Sequence, residues 1–91
     1  MYLIAIHNIS DPEKFWATAG ELEVPAGTSL HTVAPSQDHK RAVCVWESDS
    51  LDTVRDFVET NAGDISRNEY YEVDEQVAMG LPGSSVDAIS R

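Results

Sequence analysis

Two short segments of this chain are apolar on both of their faces. Residues 2–9 are rich in Ile, Leu and Tyr without polar alternation, and residues 41–47 carry apolar side chains on both parities. A strand with this pattern is covered by packed side chains on both sides, so it belongs in the interior of a sheet. The fold must therefore contain a sheet with two central strands, and something must cover each face.

Two helices are predicted, one before the second strand and one after the third. Asp11 can cap the first helix, and Pro12 takes its first position, where a missing N–H costs nothing. Residues 48–50 supply caps for the second helix, and Gly63 is predicted to end it in a left-handed conformation. Both helices have an apolar stripe at helical spacing, formed by Phe15, Trp16, Ala19 and Leu22 in the first and by Leu51, Val54, Phe57, Val58 and Ala62 in the second.

The two remaining strands have mixed polarity. The second strand is predicted over residues 28–34, and the last runs over about residues 69–79, where apolar and polar side chains alternate. The order β-α-β-β-α-β is the ferredoxin-like arrangement, an α+β fold with a four-stranded antiparallel sheet and two helices on one face. We assign residues 1–80 to this domain and residues 81–91 to a flexible or partner-wrapping C-terminal tail.

The face of the sheet that the helices leave uncovered is the basis for the main prediction about assembly. Two helices cover only one face, so apolar side chains of both central strands would meet water in a monomer. A chain of 91 residues also buries a smaller share of its surface than larger domains do. Because an apolar patch of this size usually marks an interface, we predict a homodimer through the open sheet face, a dimeric α+β barrel.

Charge and cysteine content argue against several classes of partner and compartment. The formal net charge is −10, from 16 acidic and 6 basic side chains, so nucleic acid and anionic membranes are poor candidates. The apolar N-terminal run is far shorter than the roughly 20 residues of a membrane helix, and it lacks the basic leader of a signal peptide. One cysteine cannot form an internal disulfide. We therefore expect a cytoplasmic protein.

His31, Cys44 and Glu47 are the candidate metal ligands. If the turn between the second and third strands spans residues 35–40, His31 faces Cys44, whereas a slip by one residue turns it toward Glu47. His and Cys suit nickel, copper or zinc, and a carboxylate such as Glu47 or Glu72 would complete the set. The alternative is that Cys44 is a small buried hydrophobe and that the backbone satisfies His31.

A second group of polar and aromatic side chains is predicted to line a ligand-binding pocket. Its members stand at a strand end, on the polar face of the last strand, or where large aromatic rings meet helices and sheet. They are His7, Asn8, Trp16, Trp46, Tyr70 and Glu72. The alternative is that the polar members face water and that the aromatic rings are core. No catalytic residue can be named, since nothing in the sequence suggests that Cys44 is activated to a thiolate.

One part of the chain resembles a known family. The segment Ser29-Leu30-His31 and the run from Ala42 to Arg55 are similar to small ferredoxin-like proteins of mostly unknown function. In that family a histidine of the second strand precedes a cysteine and a glutamate of the third, and a helix follows with Val-Arg in its second turn. Nickel binding has been associated with the family, so the resemblance implies a divalent metal such as nickel at His31, Cys44 and Glu47.

Two hypotheses about function follow. The first is a small homodimeric binding protein that holds a divalent metal or a small ligand. The second is a cofactor-independent monooxygenase or isomerase acting on a small aromatic or polyketide-like substrate, because the wider group of dimeric α+β barrels that the chain resembles includes such enzymes. Its pocket would be lined by Trp16, Trp46, Tyr70 and Asn8. Binding ranks first because no nucleophile with an activator can be recognised in the sequence.

Overall fold

The computed structural model describes residues 1–82 and confirms the predicted order of helices and strands. The elements are β1 (Tyr2–Ile9), α1 (Pro12–Ala19), β2 (Ser29–Pro35), β3 (Arg41–Glu47), α2 (Leu51–Ala62) and β4 (Ser66–Glu72). The strands form one antiparallel sheet in the order β2-β3-β1-β4. The two strands that are apolar on both faces are therefore its central strands. The predicted tail falls almost wholly on residues 83–91, which lie outside the described residues.

The helices begin at the predicted caps, but the second one ends differently. The Asp11 carboxylate accepts a hydrogen bond from the Lys14 N–H at 3.1 Å, and the Ser50 hydroxyl accepts one from the Asp52 N–H at 3.1 Å. Gly63 has a φ of −61°, so the predicted left-handed conformation is wrong. A Cβ at this position would lie 2.5 Å from the Glu59 carbonyl oxygen. Glycine is therefore needed here for space rather than for handedness.

The longer helix, α2, has 12 residues. Within residues 1–82, no helix combines the length and the hydropathy needed to cross a membrane.

The side chains of β1 and β3 alternate between two faces of the sheet. On the covered face, which is formed by Leu3, Ala5, His7, Ile9, Ala42, Cys44 and Trp46, they pack against the helices. The core consists of two neighbouring clusters, one around Leu3, Ala5, Cys44, Trp46, Val54 and Val58 and one around Ile9, Phe15, Ala42, Ala62 and Ile65. The covered face thus carries most of the hydrophobic core.

The opposite face, called the open face from here on, has no helix of residues 1–82 against it. It comprises Tyr2, Ile4, Ile6 and Asn8 of β1, Thr32 and Ala34 of β2, Arg41, Val43, Val45 and Glu47 of β3, and Arg67, Glu69 and Tyr71 of β4. Val43 is 40% exposed and Tyr71 is 51% exposed. Apolar side chains of both central strands therefore reach the surface on this face.

The last strand is shorter and earlier than predicted. β4 pairs with β1 from Ser66, opposite Ile9, to Glu72, opposite Leu3. Beyond that point β1 offers only the Tyr2 carbonyl, which accepts a hydrogen bond from the Val73 N–H at 2.9 Å. The alternating pattern in the sequence continues further, but it has no partner strand left there. Val77 and Met79, which were predicted to lie on this strand, are each 73% exposed.

Candidate functional site

A small cavity lies between the covered face and the two helices. β1, β2, β3, both helices and the segment that joins α1 to β2 all contribute to its wall, which is mostly apolar. Its volume is about 100 Å³, compared with the roughly 150 Å³ of an engineered apolar cavity that binds benzene. The space therefore suits a ligand of about one small ring.

Trp46 contributes its ring to the wall of this cavity and carries a buried donor without an acceptor among residues 1–82. The side chain belongs to β3, is only 3% exposed, and stacks edge to face on Phe57 of α2 with the ring centroids 5.9 Å apart. Its Nε1–H is fully buried and finds no acceptor among residues 1–82. A buried donor without a partner costs about 1–3 kcal/mol. A ligand that brings an acceptor would remove that cost.

His7 is the buried polar side chain at the other central strand. It is 3% exposed, its ring centroid lies 5.5 Å from that of Phe15, and the ring forms part of the cavity wall. Its Nδ1 is 2.6 Å from Oδ1 of Asn68, which stands directly opposite His7 on β4. The imidazole is thus held on one side by a strand neighbour and on the other by an aromatic ring.

The hydrogen bonds beyond Asn68 determine which nitrogen of His7 carries the proton. Asn68 Nδ2 donates to Glu59 Oε2 at 2.8 Å, and the Tyr70 hydroxyl donates to the same oxygen at 2.6 Å. Because a carboxylate only accepts, the NH₂ group of Asn68 must face Glu59 and its oxygen must face His7. Nδ1 of His7 therefore donates, and in the neutral ring Nε2 carries the lone pair.

The charges along this chain of hydrogen bonds agree with that assignment. The hydrogen bonds from Tyr70 and Asn68 lower the pKa of Glu59, so it is a carboxylate at neutral pH. Burial, together with the hydrogen bond to Glu59, raises the pKa of the Tyr70 hydroxyl, so it keeps its proton. Burial lowers the pKa of His7, although the Asn68 hydrogen bond and the Glu59 charge oppose the shift. The imidazole is therefore neutral at pH 7.

Cys44 lines the same cavity as a protonated thiol. It lies opposite Val33 of β2 and is buried on the covered face. Burial raises its pKa to about 11. Since the thiolate is the nucleophile and the metal ligand, the side chain behaves here as part of the apolar wall.

His31 and Glu47 come together on the open face, away from Cys44. A bulge between Leu30 and Thr32 leaves His31 outside the regular pairing, and its Nε2 lies 2.8 Å from Glu47 Oε1. The register that placed His31 opposite Cys44 is therefore wrong, since Val33 lies opposite Cys44. His31 does turn toward Glu47, but it does so through the bulge and not through a uniform slip of one residue. Within residues 1–82, no group of three or more His, Cys, Asp and Glu side chains could hold a metal ion.

The six residues predicted to line a ligand pocket divide into two sets. His7, Trp16 and Trp46 line the cavity, and the Trp16 N–H donates to the His39 carbonyl at 3.0 Å. The other three lie elsewhere: Asn8 is exposed on the open face, Tyr70 turns its hydroxyl to Glu59, and Glu72 is exposed at the end of β4.

Two residues of the His7 network escaped sequence reasoning. Neither Asn68 nor Glu59 is among the candidate residues that the sequence provided. The available signal was the asparagine itself, because Asn is depleted in strands and needs a reason to stand there. Recognising its partner requires the β1–β4 register, which places Asn68 directly opposite His7.

Known proteins offer no closer guide to this site. When the chain is compared with protein-family models, curated proteins and solved structures, it matches none of them. The ferredoxin-like order of helices and strands therefore stands on the structure itself.

Proposed function

We propose that this protein binds a small, mostly apolar organic molecule of about one ring in the cavity of the covered face. The observation that carries the proposal is the mostly apolar cavity itself, whose wall includes the ring of Trp46, with a buried Nε1–H that has no acceptor within residues 1–82. Apolar walls with a few placed polar groups are typical of small-molecule sites. The acceptor is expected to be a carbonyl or hydroxyl oxygen of the ligand.

The two tryptophans of the chain allow a direct test by NMR. Cyclohexanone and cyclohexane have similar shapes, but only the ketone can accept a hydrogen bond. We expect cyclohexanone to move the indole N–H signal of Trp46 downfield in a ¹⁵N-labelled sample, because a new hydrogen bond deshields that proton. The Trp16 N–H serves as an internal control, since it is already bonded to the His39 carbonyl. Assignment of the two signals uses Trp46→Phe.

Two results would contradict the proposal. If neither compound changes any signal of the cavity wall, the cavity does not bind a ring of this size. If both compounds move the Trp46 N–H equally, the donor plays no part in binding.

We also propose that two copies of the chain associate through the open face. Half-buried Ile4, Ile6 and Val45 lie there beside exposed Val43 and Tyr71, and neither helix of the described part of the chain packs against them. Exposed apolar patches rimmed by polar residues commonly mark protein interfaces. A second copy carries the same band of apolar side chains, so it is the simplest partner that would bury them.

The cysteine content of the chain suits a reducing compartment. The chain has one cysteine and therefore no internal disulfide to maintain. The predicted cytoplasmic location stays a prediction, and fractionation of the native cell would test it.

A further inference from the structure

The cavity wall contains one side chain that can accept a proton near neutral pH. Among the described residues that line it, only His7 and Cys44 titrate. Cys44 holds its proton up to a pKa of about 11. The remaining polar side chains on the wall, Thr18, Asn61 and Trp46, do not titrate in this range. Within residues 1–82, the imidazole of His7 is therefore the only base on the wall of this cavity.

His7 is held so that its basic nitrogen is available. Nδ1–H is engaged by Asn68, and Asn68 is oriented in turn by the Glu59 carboxylate. Nε2 has no hydrogen-bond partner within residues 1–82, and the ring is packed against Phe15 on the cavity wall. An imidazole with one nitrogen fixed by a hydrogen bond and the other free has the arrangement of a general base or of a proton-accepting binding group.

We infer that His7 is the proton acceptor of the cavity, and that the ligand is a one-ring molecule with an acidic hydroxyl, a phenol or a cyclic enol. The inference rests on the proposed function, because it needs a ligand in the cavity. It adds the chemical class of that ligand and the atom, Nε2 of His7, that receives its hydrogen bond. The ring of Trp46 lies on the same wall, and its Nε1–H, buried and unpaired within residues 1–82, would bind a second oxygen of the ligand.

The proton transfer that this arrangement permits is balanced without any co-reactant. The O–H bond of the ligand breaks, its electron pair stays on the oxygen, and a new N–H bond forms at Nε2 of His7. The resulting imidazolium keeps its Nδ1–H bond to Asn68, and the Glu59 carboxylate behind Asn68 stabilises the positive charge. Return of the proton to a ring carbon completes a tautomerisation, whereas its return to oxygen restores the starting molecule.

The test compares two fluorinated probes that differ only in what the phenolic oxygen carries. 4-Fluorophenol can donate to His7, whereas 4-fluoroanisole has the same ring with a methyl group in place of the hydroxyl proton. Both affinities are measured by ¹⁹F NMR titration with the full chain. We expect the phenol to bind roughly fivefold to tenfold more tightly, which is the range of one hydrogen bond.

Two variants locate the source of that preference. His7→Asn puts an amide N–H close to the position of Nδ1, so it keeps a donor for Asn68 while it removes Nε2. We expect this variant to bind both probes equally. Cys44→Ala changes another residue of the same wall and should keep the preference. The amide spectra of both variants show whether they are folded.

A measurement on the wild type avoids any folding defect. 4-Fluorophenol stays protonated over the range from about pH 8 to pH 5, as the similar phenol of tyrosine does. His7, in contrast, moves toward the form protonated on Nε2 as the pH falls toward its pKa, which burial lowers. The charged groups that face His7 do not change over this range: Glu59 on α2 has a lowered pKa, and Cys44 on β3 and Tyr70 on β4 have raised pKa values. The preference for the phenol should therefore disappear as pH falls.

Each outcome has a separate meaning. If neither probe binds, the proposed function fails, and the inference fails with it. If both bind the wild type with equal affinity, the cavity binds rings but His7 accepts no proton from them. If the phenol preference survives both His7→Asn and acidification, another group receives the hydroxyl and the inference about His7 is overturned.

Discussion

At the scale of single residues, the chemistry of the site depends on side chains that are oriented by further hydrogen bonds. His7 is polar and buried, yet its tautomer follows from Asn68, and Asn68 is oriented by Glu59. Sequence reasoning identified His7 and Trp46 as candidates because of their residue types. It could not find the network, since a hydrogen bond across a strand pair depends on a register that no single strand specifies.

One prediction at this scale concerns stability against pH. The pKa of folded His7 lies below its ordinary value of 6.5, so the unfolded chain binds more protons between the two pKa values. The free energy of unfolding must then fall as pH decreases through about 6.5, with a slope of at most about 1.4 kcal/mol per pH unit from this one group. Urea unfolding of the wild type between about pH 7.5 and pH 5 measures it.

Two histidine variants identify the residue responsible. His7→Asn should lose this slope, whereas His39→Asn should keep it, because His39 is exposed and its left-handed φ of 64° is one that asparagine tolerates. Glu59 has a pKa lowered from 4.5 and affects stability only at more acidic pH. Equal slopes in the wild type and His7→Asn would contradict the account of a buried neutral imidazole.

At the scale of helices and strands, the sequence was most informative where a pattern matched its surroundings. β1 and β3 were predictable because they are covered on both faces, and α1 and α2 because they begin at recognisable caps. The end of β4 and the bulge at His31 were not predictable, because each depends on where the pairing with a neighbouring strand stops or shifts. That bulge separated His31 from Cys44 and removed the expected metal site.

The C-terminal glycines of the two helices provide a matched pair of substitutions. A Cβ on Gly63 would lie 2.5 Å from the Glu59 carbonyl oxygen, whereas a Cβ on Gly20 would lie 3.6 Å from the nearest atom, the Trp16 carbonyl oxygen. Gly63→Ala should destabilise the fold by about 1–2 kcal/mol through this clash. Gly20→Ala should stabilise it by up to about 1 kcal/mol, because alanine restricts the unfolded chain.

Urea unfolding at a single pH compares the two variants with the wild type. A Gly63→Ala variant as stable as Gly20→Ala would mean that the end of α2 relaxes to admit a methyl group.

At the scale of the whole molecule, charges on the open face are arranged in a way that favours one orientation of a second copy. Arg41 and Arg67 flank Asn8 at one end of the central strands, and Glu47 stands beside Tyr2 at the other end. The apolar band lies between them, with Glu69 at its edge on β4. When two copies meet with their strands antiparallel, the basic end of each lies over the acidic end of its partner. Parallel strands would place like charges together.

A charge reversal tests both the dimer and its orientation. Arg41→Glu should weaken self-association roughly tenfold, about 1.4 kcal/mol, and adding Glu47→Arg should restore much of the loss. Lys14→Glu makes the same change in net charge on the exposed surface of α1 and should have little effect. Sedimentation velocity at micromolar concentration gives the association constants. A wild type that stays monomeric at that concentration would rule out the dimer.

The central strands separate the cavity from the open face, and this separation determines whether ligand binding and self-association influence each other. Side chains of β1 and β3 point alternately to the covered face, where three of them line the cavity, and to the open face, and none of them belongs to both. Occupancy of the cavity therefore neither supplies nor removes an atom of the surface where a second copy would bind. Thermodynamic linkage between ligand uptake and self-association should be weak. Each subunit would then respond to its ligand without cooperativity, whatever the abundance of the protein.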